Sequence, residues 1–428
     1  MTLGCKVNQF ETQAIENILI SRGHIQVAPG DGCDICIVNT CAVTADAARK
    51  SRQAVRRLKN SEPNALVAVC GCLSQLDPQA AAELGADLAG GSGGRQAFAL
   101  EIERVCGSKK IALADEQGEA TAFEELPPGS ACGRTRALLK IQDGCDNFCT
   151  FCIVPHIRGR SRSLPPASAA AQARQLEERG FREIVVTGIE ICSYGKDQIG
   201  KPTPVDVFRE IGAAAPKTRL RLGSIDPGAV TKDFCEGLHD IPNLCKHFHL
   251  SLQSGCDEIL RRMGRKYDTY MVREAISSLR QMFPDCGMTA DLITGFPGET
   301  DRRFEQTLSF IKEAAFSGMH IFTYSPRPGT PAADMPDQIS KNVRSERARI
   351  VKAVAVEMAR SFRLSQVGKT YDVLFERKRG GYWIGFSDNY IEVAAKSGGE
   401  RNEVRSVHIT SVDGKVVLGE IVDKSRIC

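Results

Sequence analysis

Gly144-Cys-Asp-Asn-Phe-Cys-Thr-Phe-Cys152 is the stretch that decides how this chain reads. Its cysteines have the spacing C-x3-C-x2-C and follow directly on a predicted strand at 137–141. Cys145, Cys149 and Cys152 supply three thiolates, one short of a full set for a 4Fe–4S cubane. That leaves one iron open to a small molecule. Phe151, just before the last cysteine, is placed to cover such a cluster and keep water from it. Zinc is the plain alternative, but structural zinc wants four ligands, often as paired C-x2-C units.

Working outward, apolar runs at 183–187, 219–222, 247–252, 288–293 and 320–324 alternate with helical stretches. With 137–141 they predict a partial (β/α)6 barrel, a fold that carries its chemistry at the carboxyl ends of its strands. A connecting helix is predicted over 342–364. Beyond Gly368, short strands at 371–375, 381–386, 390–393 and 416–421 predict a small terminal β-barrel. Upstream, 7–20 and 44–59 have helical periodicity, and Thr44 is placed to cap the second helix. Residues 34–39 and 65–70 read as buried parallel strands, and helix signals follow at 77–84. This is the α/β layering of a doubly wound parallel sheet. The expected organisation is an α/β domain over 1–115, a Glu-, Gly- and Pro-rich linker over 116–133, the barrel with its connecting helix over 134–363, and the β-barrel over 364–428.

The whole chain agrees with that division, since 428 residues exceed what one core supports. Seventeen cysteines would suggest disulfides in a secreted protein. Here the start lacks a signal-peptide layout and no apolar run approaches the ~18 residues of a membrane span. The expected compartment is the cytoplasm, where clustered cysteines read as metal or cluster ligands. A net charge of +4 permits a nucleic-acid partner without arguing for one.

A second set, Cys5, Cys41 and Cys72, sits at predicted strand-to-loop junctions, and parallel sheets gather ligands at the carboxyl ends of strands. Taken alone, three buried thiols are an equally good account. Cys33-x2-Cys36 looks like half a zinc or redox site, but no second pair accompanies it, so it reads as structural. Cys70 belongs to its strand, and Cys192 reads as structural or incidental.

The spacing of the 145–152 loop, with its aromatic before the third cysteine, resembles the radical S-adenosylmethionine (SAM) superfamily. Further motifs extend the likeness: Arg158-Gly-Arg-Ser-Arg-Ser163, Thr187-Gly-Ile-Glu190, His249-Leu-Ser-Leu-Gln-Ser-Gly255, Asp291-Leu-Ile-Thr-Gly-Phe-Pro-Gly-Glu-Thr300 and Tyr324-Ser-Pro-Arg-Pro-Gly-Thr-Pro331. Leu3-Gly-Cys-Lys-Val-Asn-Gln9, Val38-Asn-Thr-Cys-Ala-Val43 and Gly71-Cys-Leu-Ser-Gln75 look like the three ligand segments of the methylthiotransferases. The chain resembles that family from end to end. The resemblance implies an N-terminal α/β domain, a radical SAM barrel and a C-terminal TRAM domain. It also implies an auxiliary 4Fe–4S cluster on Cys5, Cys41 and Cys72, in addition to the barrel cluster.

The same resemblance implies an activity. SAM serves as radical source and as methyl donor, a 5′-deoxyadenosyl radical takes hydrogen from C2 of a modified adenine, and a methylthio group replaces it. The substrate is a tRNA anticodon stem-loop, and a low-potential donor such as flavodoxin or ferredoxin supplies electrons. Family members act on isopentenyladenosine, threonylcarbamoyladenosine or a ribosomal-protein aspartate. The quoted N-terminal and 324–331 segments, with Gly381-Tyr-Trp-Ile-Gly-Phe-Ser-Asp-Asn-Tyr390, resemble the threonylcarbamoyladenosine group most. A radical SAM protein that binds RNA or the ribosome without inserting sulfur is the alternative of a different class. Where the family has a full strand before its first cysteine, only Met1 to Gly4 stand here. The expectation is an internal start or a short sheet edge with a weaker hold on Cys5.

Candidate contacts follow from chemistry. Gly188 and Glu190, at a barrel strand end, suit the ammonium of SAM, and Gln253 and Arg265 are further polar candidates for it. Polar residues on barrel loops also serve simply as caps, and Asp291 suits a satisfied barrel polar group. Arg49, Arg52, Arg56 and Lys59 form one stripe on a predicted helix, suited to a phosphate backbone or to plain solvation. Arg158, Arg160 and Arg162 follow the cluster loop, where a substrate phosphate or a carboxylate would meet them. Tyr382, Trp383, Phe386 and Tyr390 divide between stacking surface and core.

Overall fold

The computed structural model describes residues 1–28, 30–106, 112–113, 122–129 and 135–422. The first unit is a parallel sheet of Ile35–Thr40, Leu66–Gly71, Leu88–Ala89 and Ala112–Leu113, hydrogen-bonded in that order. Thr2 adds one bridge to Asn39 at the free edge. Helices cover both faces. Ala54, Val55, Ala81 and Leu84 pack on one side, and Ile15, Leu19, Phe98 and Ile102 on the other. Thr44 caps helix Ala45–Ser61 by accepting from the Ala47 N–H at 3.1 Å. The helix expected at 77–84 forms as Pro78–Glu83, capped by Asp77, which accepts from the Ala80 N–H, and a further short helix, Cys72–Leu76, precedes it.

All six barrel strands form where the pattern places them: Arg136–Lys140, Glu183–Thr187, Arg219–Leu222, His247–Gln253, Gly287–Thr294 and Gly318–Thr323. The first three make one parallel sheet, the last three join the short strand Ser224–Ile225 in a second of four, and a bridge from Leu220 to Leu244 leads across the junction. Phe248, Leu250, Leu252, Met288, Ala290 and Leu292 pack outward under the helices. The alternate residues therefore face the interior. The inner face of the first two strands is covered by the N-terminal unit, with Phe10 and Ala14 of helix Lys6–Ser21 against Leu138 and Val185.

The expected linker lies outside the described residues at 116–121 and 130–133. Its described part is packed, with Leu126 buried in that same cluster and the Pro128 carbonyl accepting from Asn17 at 2.7 Å. After the connecting helix Lys341–Leu364, five strands close a barrel in the order Thr370–Arg379, Tyr382–Ser387, Glu392–Ala395, Val416–Ile421, Val404–Asp413. Strand Val404–Asp413 escapes the sequence pattern because its far end is exposed and polar. This barrel plugs the amino ends of the SAM-type barrel. Arg219 and Arg221 donate to the carbonyls of Asp372, Phe386, Ser387 and Asp388, and Tyr390 stacks on His247 at 4.6 Å. Phe386 stacks on Tyr390 at the domain junction, where Tyr390 stays 38% exposed. Among the described residues, no helix is long and apolar enough to cross a membrane.

Candidate functional site

Gly144 enters the cysteine loop at φ +69°, and a Cβ there would lie 1.9 Å from the Arg160 carbonyl oxygen. Only glycine lets the loop close on that backbone. The Cys145 N–H donates to the Gly159 carbonyl (3.1 Å), the Thr150 N–H to that of Met263 (3.0 Å) and the Cys152 N–H to that of Cys149 (2.9 Å). Arg265 Nη1 donates to Cys149 Sγ at 3.2 Å, while its other N–H groups reach Asp226 and the Tyr267 hydroxyl, each at 2.9 Å. Burial pushes the Cys145 thiol up to about 11 and that of Cys152 to about 12. Such thiols ionise only with a cation to bind. Phe151 lies edge-on to Phe296 with centroids 6.3 Å apart.

The second trio assembles from three segments. Cys5 caps helix Lys6–Ser21, while Cys41 and Cys72 directly follow strands Ile35–Thr40 and Leu66–Gly71. Gly4 approaches so closely that a Cβ would meet Cys41 Cβ at 2.9 Å. Gly71, at φ +103°, would put a Cβ 2.4 Å from Asn39 Oδ1. Cys5 is exposed, Cys41 and Cys72 are buried, and burial pushes the Cys72 thiol up to about 12. Cys72 packs in one cluster with Ile153 and Ile157, which follow Cys152. The two trios therefore border one interface.

Among the described residues, the group whose three possible ligand atoms all lie within 4.8 Å is His249, Asp291 and His320. Each donor set is three cysteines, the number that holds three irons of a cubane and leaves the fourth open, whereas structural zinc wants four ligands. Cys33 and Cys36 do approach, at 3.2 Å between sulfurs, at the opposite end of the sheet.

A buried charge network joins the trios. Arg158 donates to Glu11 (2.8 and 3.2 Å), to Asp143 (3.0 and 3.2 Å) and to Asn8 Oδ1 (2.7 Å). Lys140 reaches Glu11 at 2.9 Å and Asp143 at 2.6 Å, and Arg95 reaches Glu11 at 3.2 Å. Asn8 also accepts from the Cys5 thiol at 3.8 Å and donates to the Thr40 carbonyl at 2.9 Å. This corrects the expectation for two arginines. Arg158 is spent on carboxylates inside the interface, and Arg162 is buried beside Asp143 at 3.9 Å, so neither faces a polyanion. Glu11 and Asp143 carried no motif, and Asn8 stood inside the Leu3–Gln9 segment with no role of its own assigned. The one available hint is that Asn8 and Glu11 lie three residues apart on one helix face.

The remaining RNA candidates differ in exposure. Arg52, Arg56 and Arg160 are exposed, Arg160 lying over the Phe148 ring and 3.2 Å from Asp146. Arg49 pairs with Asp46 at 2.5 Å on the surface. Lys59 is half-buried against Asp87 at 2.7 Å, which takes it out of the stripe.

Of the SAM candidates, Glu190 is buried against the cluster loop. It accepts from Asn147 Nδ2 at 3.3 Å and from the Cys192 N–H at 3.2 Å. Burial, and then Asp226, raise its carboxyl to about 7, an environment that calls for a cation. A Cβ on Gly188 would strike the Gln142 side chain at 2.9 Å, so Gly188 serves close packing. Gln253 ends its strand at φ +63°, two residues past Ser251, whose carbonyl accepts from Arg265 at 3.3 Å. Arg265 is thus saturated by the protein and braces the loop.

The fold and the cysteine loop define a radical SAM protein. Residues 139–311 match the model of the radical SAM superfamily, and residues 1–89 match that of an uncharacterized protein family, UPF0004. A solved radical SAM methyltransferase, TsrM from Kitasatospora setae, shares the fold at TM-score 0.55 and 14% identity, over 76% of this chain and 73% of that one. Membership of the superfamily brings SAM and a 4Fe–4S cluster.

Similarity along the sequence is more specific. The chain is 35% identical to the threonylcarbamoyladenosine tRNA methylthiotransferase MtaB of Bacillus subtilis, over 92% of this chain and 89% of the relative. It is 34% identical to the MtaB of Thermotoga maritima, over 97% and 95%. A tRNA-2-methylthio-N(6)-dimethylallyladenosine synthase of Symbiobacterium thermophilum is 32% identical over 88% and 83%. The chain belongs to the radical SAM methylthiotransferase family.

Proposed function

We propose that the chain transfers a methylthio group to C2 of N6-threonylcarbamoyladenosine beside the tRNA anticodon. The observation that carries this reading is the pair of cysteine trios bordering one interface, since one trio suffices only to make a radical. The MtaB relatives, matched over nearly the whole chain, support the choice of base. Cys145, Cys149 and Cys152 hold the barrel cluster, and Cys5, Cys41 and Cys72 the auxiliary one. When bound, the first cluster with SAM supplies the 5′-deoxyadenosyl radical and the second supplies sulfur.

The protein's own part is alignment. Glu190 takes the ammonium of SAM, with Gln253 and Gly188 shaping the same strand ends. Arg265 steadies the Cys149 sulfur, and Phe151 with Phe296 keeps water out. Arg52, Arg56 and Arg160 meet the RNA backbone. The units are 1–115, 134–363 and 364–428, joined by 116–133. The electron donor is a low-potential protein of the flavodoxin or ferredoxin type, and the compartment is that of tRNA, the cytoplasm.

Iron analysis tests the two clusters. Reconstituted protein should hold about eight irons per chain, and about four once Cys5, Cys41 and Cys72 are alanine. Four in the unmutated protein would sink the second cluster. Nucleoside analysis of tRNA from a deletion strain tests the base. Loss of 2-methylthio-threonylcarbamoyladenosine is expected; loss of the dimethylallyl product instead would transfer the reading to the other group.

A further inference from the structure

The barrel interior holds a polar constellation that neither cysteine trio uses. His249, Asp291 and His320 stand on three neighbouring strands, with their polar side-chain atoms within 4.8 Å of one another. His249 Nδ1 lies 2.8 Å from Thr289 Oγ1, and this fixes its Nε2 toward Asp291 at 3.2 Å. The His320 ring meets that of His249 edge-on at 5.4 Å.

The height of this group in the barrel matters. Parallel strands in register point paired residues to one face, two residues per layer, and a layer rises about 6.6 Å. Asp291 pairs with His320, and Ile293 pairs with Phe322 one layer above. Ile293 adjoins Phe151 of the cluster loop, and Phe322 is 45% exposed although it faces inward. Below the constellation, His247, one layer under His249, stacks on Tyr390. The interior therefore presents an exposed aromatic ring near the cluster loop, a polar floor beneath it and the His247–Tyr390 stack at its base.

A purine stacked on Phe322 would place a substituent of about one layer's reach against His320 and Asp291. A threonylcarbamoyl group brings a carboxylate, a hydroxyl and urea N–H groups. The His320 N–H meets the carboxylate. Asp291 accepts from the hydroxyl or an N–H. His320, held below the ordinary histidine value by burial and then by His249, offers a neutral ring that can donate or accept. A dimethylallyl group offers none of these and would leave the polar atoms of His320 and Asp291 facing an apolar group. We infer that His320, Asp291 and His249 form the subsite that receives the polar N6 substituent and selects it over an apolar one. This rests on the proposed function and names the residues that set its substrate class.

The experiment uses the reconstituted holoenzyme and three anticodon stem-loops, bearing threonylcarbamoyladenosine, dimethylallyladenosine or plain adenosine. The readout is the ratio of kcat/KM between substrates for each variant. Partial loss of clusters scales all three substrates equally and leaves the ratio intact. His320→Ala and Asp291→Asn should each lower the preference for threonylcarbamoyladenosine at least roughly ten-fold, the scale of a lost hydrogen bond to a charged group, mostly through KM. Unchanged ratios in both variants overturn the subsite. A wild-type enzyme that prefers the dimethylallyl stem-loop overturns the proposed function instead, so the two failures are separable.

Discussion

The two cysteine trios reach similar ends by opposite routes. Cys145, Cys149 and Cys152 come from a single loop of eight residues, held by short-range backbone bonds, one glycine and two ties to the 263–265 segment. Cys5, Cys41 and Cys72 come from three segments, and only the parallel sheet brings them to one edge. The local trio depends on its own turn, whereas the scattered one depends on the fold of its domain and on the charges that dock that domain to the barrel. The difference teaches that a cluster site can be as robust as a loop or as vulnerable as an interface.

The largest effects should separate the trios by product. Cys149→Ala should abolish 5′-deoxyadenosine formation altogether. Cys72→Ala should retain it and lose the methylthio nucleoside. Chromatography of both products from one reaction checks this, and equal loss of both in Cys72→Ala would erase the distinction.

The docking charges come next. Arg158→Met leaves Glu11 with only Lys140 and Arg95, and takes from Asp143 one of its two close cations. Breaking a buried pair in this way costs about 3–5 kcal/mol. Denaturant unfolding should show that loss, together with lower occupancy of the auxiliary cluster than of the barrel cluster. Arg160→Ala, on the surface nearby, should change stability by less than about 1 kcal/mol.

A smaller effect is the acid limb of stability. Burial by itself raises the Asp143 carboxyl, but Lys140 and Arg158 more than reverse this and hold it at about 2. A carboxyl depressed in the folded state stabilises fully above its unfolded value of about 3.9 and loses that contribution as pH falls toward the folded value. Between about pH 4 and pH 2 the wild type should therefore lose stability more steeply than Asp143→Asn. Parallel curves would show that the network does not titrate as a unit.

The smallest effect concerns RNA. Replacing Arg52 and Arg56 by alanine should weaken stem-loop binding modestly and reduce the slope of log K against log salt by about 0.7 to 0.9 per lost phosphate contact. An unchanged slope would make the helix face a solvated surface only.

The six barrel strands, the cysteine loop and Thr44 as a cap were legible because each rests on short-range signals: period-two burial, fixed spacing and a side chain bonding its own helix. By itself the sequence determined that three thiols would stand together at 145–152, since a turn of eight residues leaves them nowhere else to go. It also placed Cys5, Cys41 and Cys72 at strand ends. Only the tertiary structure decided that those ends meet beside the barrel loop, that Arg158 and Arg162 turn inward to carboxylates, that Tyr390 stacks on His247 at the barrel base, and that His249, Asp291 and His320 converge from three strands. Each of these pairs residues distant in the chain, and nothing in local propensity records which partner will neutralise a buried charge. That choice is made when surfaces dock, because a charge removed from water must find its opposite in the interface that buries it.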